Sequence, residues 1–166
     1  MKRKSLFFLV SFLTLCSVSC SSSESNDSRT YEEYKDFFIE NVEDIYSQKE
    51  EKYYVEVFFE TCPHCIKVKP HAFDYVDKYK NKEKEIKYYF FNIQSGSTFL
   101  GKDNRAKFKE KPQNYNKELL IAKNVEDKVG SVGETYFFGV PVLYEIINNK
   151  LNNEIIGDDN IINFIK

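Results

Sequence analysis

Tryptophan is absent from this 166-residue chain, methionine occurs once and histidine twice. The single methionine is Met1, so the body of the chain offers no thioether ligand of the kind soft copper favours, which counts against a copper-handling role. No basic excess exists either: 24 Lys and Arg face 26 Asp and Glu, for a net charge of −2. Without a basic stripe, a nucleic-acid partner is not expected. No run reaches the ~20 apolar residues that a membrane-spanning helix needs. What the chain does have is 15 Phe and 12 Tyr, enough bulky apolar surface for the core of one compact domain with a leader to spare.

The leader is the clearest address. Lys2, Arg3 and Lys4 precede a short apolar stretch dotted with Ser and Thr, the layout of an export signal over residues 1–19. An uncleaved membrane anchor is the alternative reading. The stretch Ser17-Val18-Ser19-Cys20 resembles a bacterial lipobox, in which the cysteine becomes the lipidated N-terminus. Ser17 stands where such boxes prefer leucine. Cys16 is the rival, with Leu13 well placed but bulky Leu15 next to the cut. Residues 20–30, from Cys20 through a serine-rich stretch, then read as a lipidated cysteine on a flexible tether. The implied localisation is extracytoplasmic, anchored to the bacterial cell membrane. Cleavage before Cys20 removes Cys16 and acylation consumes Cys20. Of the four cysteines, Cys62 and Cys65 alone remain as thiols, in an oxidising space where a stray thiol is a liability.

The domain occupies 31–166. Thr30 and Glu33 have capping-box spacing, and Tyr31, Tyr34, Phe38, Val42, Ile45 and Tyr46 recur at helical period, predicting an N-terminal amphipathic helix over 31–47. Residues 52–59 and 86–93 read as buried strands. Residues 62–80 read as a helix with Val68, Phe73, Val76 and Tyr79 inward and a kink at Pro70. A long connection over 94–138 follows, with a helix at 114–128. A hairpin turning at Asn148-Asn149-Lys150 comes next, and then a last short helix capped by Asp158 or Asp159. The expected order is α-β-α-β-α-β-β-α.

Chemistry concentrates at Cys62-Pro63-His64-Cys65. A Cys-x-x-Cys pair can be half a zinc site, a static bridge or a redox centre. Zinc needs four ligands, and the remaining donors are His64, inside the loop, and His71, two turns on. A bridge across two residues closes a tiny loop and stabilises little through chain entropy. Position favours the third reading. Behind a buried strand and at the start of a helix, Cys62 faces unpaired N–H groups and the positive end of the macrodipole. Both favour the thiolate, which is the attacking species. Cys65, one turn in, suits resolution. Pro63 fits the first helical turn, and His64 can supply charge or a hydrogen bond near the Cys62 sulfur. Glu56 lies in a strand apolar on both sides. Burial there raises its pKa and lets it exchange protons with Cys65; the competing reading turns Glu56 to solvent. Glu60 and His71 read as surface residues.

The chain resembles thioredoxin-fold thiol–disulfide oxidoreductases, with the CPHC choice of DsbA-type oxidases. The likeness covers roughly residues 50–166. Glu56 stands six residues before Cys62, where the superfamily carries a buried acid. Pro70 matches the kinking proline of the active-site helix, and Gly139-Val140-Pro141 is similar to the cis-proline loop. The resemblance implies an α/β thioredoxin-like fold, a mixed central sheet flanked by helices. It implies a cis Pro141 against the redox pair, with the backbone of Val140 free to pair with an extended substrate strand. Thr61 replaces the aromatic residue common before the first cysteine, so substrate packing there differs. The large helical insert of DsbA-type oxidases has no room between 80 and 86.

Together these features predict an exported enzyme catalysing disulfide exchange, oxidase or isomerase in direction. It would need no cofactor beyond a redox-active Cys62–Cys65 disulfide and no metal. Its partners would be protein thiols and disulfides, with a membrane redox partner possible. An exported reductase for cytochrome maturation or repair is one alternative. A surface lipoprotein reusing the fold for binding, its cysteines spectators, is the other.

Overall fold

A computed structural model describes residues 27–93, 107–109, 129–137 and 139–166. The leader with Cys20, the helix expected at 114–128 and most of the 94–138 connection lie outside the described residues. The chain is α/β; its described residues form a four-stranded mixed sheet flanked by helices, with strand order β2-β1-β3-β4. No helix among the described residues is long and apolar enough to cross a membrane.

Strand β1 (Lys52–Phe58) is central. It pairs in parallel with β2 (Lys87–Asn92), Glu56 opposite Phe90, and antiparallel with β3 (Val142–Ile147), Glu56 opposite Leu143. Its run of aromatic and β-branched residues suits a strand buried on both faces, where neither side needs polar residues. Alternation assigns the faces. Tyr54 and Phe58 belong to one core cluster, with Val68, Phe73 and Val76 of helix α1 (Pro63–Lys80) and Ile161 of helix α2 (Asp158–Ile165). Tyr53, Val55 and Val57 belong to the other, with Ile45, Phe91 and Tyr144. Glu56 therefore projects to the α1 side.

Strand β4 (Lys150–Ile156) returns from β3 through Asn148 and Asn149, whose φ angles of 52° and 60° are the left-handed pair of a two-residue hairpin. α1 runs through Pro70 without interruption. The expected cap of the last helix is corrected. Gly157 occupies the N-cap, and Asp158 and Asp159 lie in the first turn. Gly157 has φ 92° and ψ 152°, a conformation open essentially to glycine alone, and its N–H donates to the Pro141 carbonyl at 3.2 Å. The start of α2 is thus tied to the segment before β3.

The helix expected over 31–47 is also corrected. Two short 3₁₀ turns stand there instead, Tyr31–Phe37 and Val42–Tyr46. Tyr34 leaves helical geometry at φ −115°, ψ 15°, Phe38 forms a parallel bridge with Phe90, and the Ile39 N–H donates to the Phe90 carbonyl at 2.9 Å. The cause is which core each side chain enters. Tyr34 and Phe37 pack with α1, whereas Ile39, Val42, Ile45 and Tyr46 pack on the opposite face of the sheet. A straight helix cannot bury one stripe on both faces, so the chain wraps around β2. In doing so it covers an otherwise open sheet edge. On the far face the Tyr46 hydroxyl bonds the Thr135 hydroxyl, linking this wrap to the segment before β3.

Candidate functional site

Cys62 is the N-cap of α1, extended at φ −74°, ψ 121°, with Pro63 at the first helical position. The Ile66 N–H makes the first helical bond, to the Cys62 carbonyl at 2.9 Å, so the N–H groups of His64 and Cys65 have no partner within the helix. Proline at the first position gives up no donor the helix would use. Cys62 and Cys65 are both unbridged thiols, 5 % and 1 % exposed.

The site's second wall comes from the segment before β3. The Cys62 thiol donates to the Val140 carbonyl at 3.7 Å across 78 residues of sequence, and the Val140–Pro141 peptide bond is cis, as the resemblance implies. Pro141 is buried and Val140 half-buried.

Beneath the thiols lies Glu56, with no exposed surface. The buried alternative for this residue therefore holds. The Tyr88 hydroxyl donates to Oε2 at 2.8 Å, and Oε1 has no hydrogen-bond partner among the described residues. Desolvation pushes its pKa up to about 7, the Tyr88 hydrogen bond opposing. Burial holds the Cys65 thiol well above its ordinary range. A hydrogen bond to the Phe59 backbone opposes that rise, while the neighbouring Cys62 thiol and the Glu56 charge add to it. The Glu56 charge is thus felt at the Cys65 thiol, although no hydrogen bond joins the two groups.

His64 departs from expectation. Its side chain is largely exposed, and the hydrogen bond that the structure gives its ring runs to α2 rather than to the Cys62 sulfur: Nδ1 meets Asp158 Oδ2 at 3.0 Å. Lys67 Nζ meets the same oxygen at 3.0 Å. These two partners, His64 first, hold the Asp158 carboxyl well below the usual carboxylate range. Pro63, Thr61 and Glu60 are exposed, the last accepting a hydrogen bond from Asn92 Nδ2 at 3.3 Å, and His71 is half-buried on α1.

Three contributors carry no signal in the sequence. Tyr31 reads there as a helix-face residue. In the structure its ring stacks on Phe58 at 4.5 Å and meets Phe73 edge-on at 5.1 Å. Burial raises its phenol far above the ordinary range, with the charges of Glu56 and Cys65 reinforcing this. Tyr88 reads as strand filler and proves to be the donor to Glu56. Asp158 reads as a helix cap and proves to be the partner of His64. Among the described residues no three His, Cys, Asp or Glu side chains gather as a metal-binding group.

No family model, curated protein or solved structure matches the chain.

Proposed function

We propose that the protein is a thiol–disulfide oxidoreductase of thioredoxin-like fold, exported and held at the cell membrane through Cys20, with Cys62 and Cys65 as its redox pair. The mixed sheet flanked by helices is compatible with that fold. The observation that carries the reading is the Cys62 thiol at a helix start, 3.7 Å from the Val140 carbonyl, with Cys65 and buried Glu56 behind it.

In the reducing direction the Cys62 thiolate attacks one sulfur of a substrate disulfide. That S–S bond breaks, the departing substrate sulfur takes up a proton, and a mixed disulfide links Cys62 to the substrate. Cys65 then passes its proton to the Glu56 carboxylate and attacks the Cys62 sulfur. The second substrate sulfur leaves and takes up a proton, Glu56 in turn gives up the one it accepted, and a Cys62–Cys65 bridge remains. The oxidising direction is the reverse: a substrate thiolate opens the bridge at Cys62, and the substrate's second thiol releases the dithiol enzyme. Stabilising the dithiol form makes the couple more oxidising. Free N–H groups and the macrodipole at a helix start favour an anion there as a general rule, the sense that favours oxidase or isomerase work.

Replacing Cys65 by Ala removes the resolving thiol, so mixed disulfides between Cys62 and exported client proteins accumulate in cells. Failure to find any such adduct, with the variant folded and exported, removes the exchange mechanism.

A further inference from the structure

The His64 imidazole lies between the two cysteines in sequence, yet its hydrogen bond is made with the other helix. Asp158 Oδ2 receives both His64 Nδ1 and Lys67 Nζ, each at 3.0 Å, and the Asp158 side chain is only 14 % exposed. The position of Asp158 is fixed from behind, because Gly157 is bonded to the Pro141 carbonyl and α2 packs on α1 through Ile161 and Ile165. One carboxylate thus gathers the two cationic or cationisable side chains of the first turn and a half of α1.

We propose that Asp158 is a positioning residue that sets the redox poise of the Cys62–Cys65 pair through His64. This rests on the oxidoreductase reading above. A carboxylate that accepts the Nδ1 proton ties the ring to α2 and offsets positive charge that would otherwise support a Cys62 thiolate at the same helix end. With the ring held this way the dithiol form gains less from His64, and the couple is less oxidising than its CPHC motif alone implies. Asp159, the next residue of α2, carries the same charge and is not a hydrogen-bond partner of the His64 ring.

The test is the equilibrium of the full chain with reduced and oxidised glutathione, for wild type, Asp158→Asn, Asp159→Asn, His64→Ala and the His64→Ala/Asp158→Asn double variant. Asp158→Asn is expected to move the equilibrium about fivefold toward the dithiol, which is ~20 mV for a two-electron couple. Against a His64→Ala background the same substitution is expected to move it less than twofold, and Asp159→Asn less than twofold in wild type. An unchanged equilibrium in Asp158→Asn overturns the proposal, as does an equal shift with and without His64. If wild type equilibrates normally while Asp158→Asn shows no shift, only this inference falls. If wild type forms no Cys62–Cys65 bridge at any glutathione ratio, the oxidoreductase reading falls and takes this one with it.

Discussion

The Tyr88 hydroxyl donates to Glu56 Oε2 at 2.8 Å from the neighbouring parallel strand, the sole hydrogen bond among the described residues to a carboxyl group with no exposed surface. The bond favours the ionised form, opposing a desolvation that favours the neutral one. In Tyr88→Phe that support disappears, so the Glu56 pKa is expected to rise above its value of about 7. Carboxyl titration followed by infrared or NMR spectroscopy checks it. A downward shift contradicts the assignment of Tyr88 as donor.

Glu56 also makes stability depend on pH. Its pKa is about 7 folded against 4.5 ordinarily, so between those values the folded state binds a proton that the unfolded state has released. Stability is therefore fully present below pH 4.5, falls as pH rises, and has lost its full share above 7, about 3 kcal/mol by linkage. Glu56→Gln cannot ionise and is expected to remove this slope. Urea unfolding at several pH values, wild type against variant, measures it.

Phe73 stacks on Tyr34 at 4.1 Å and meets Tyr31 and Phe90 edge-on, fully buried on the inner face of α1. Phe73→Ala is expected to destabilise the domain by about 3–5 kcal/mol, the range for emptying an aromatic core site. A loss under 1 kcal/mol by urea unfolding would show that the wrap of residues 31–46 packs elsewhere.

Gly157 has φ 92° with no atom within 4 Å of where a Cβ would stand, so backbone conformation and not crowding demands glycine there. Gly157→Ala is expected to lose about 1–3 kcal/mol, measured by the same unfolding experiment.

Local chemistry made much of the site legible before any fold was known. Two cysteines at a strand-to-helix junction, a proline at the first turn and an acid in an apolar strand are each read within a few residues. The strands were legible because aromatic and β-branched runs flanked by turn residues leave few alternatives, as at Lys52–Phe58 and Lys87–Asn92. What depends on which elements meet was not legible. The period of Tyr31 through Tyr46 is genuinely helical, yet its residues divide between the two faces of the sheet, and no local pattern records that division. His64 could be assigned to the Cys62 sulfur only while α2 was unplaced; Asp158, 94 residues away, competes for its ring.

The most direct measurement mixes the reduced full chain with a peptide disulfide, quenches with acid and maps every covalent sulfur adduct by mass spectrometry. The expected result is a Cys62–Cys65 bridge with release of peptide thiol in wild type, and peptide attached at Cys62 in Cys65→Ala. Both thiols remaining free in the folded protein, or peptide attached at Cys65 in preference to Cys62, would contradict the assignment of these two residues.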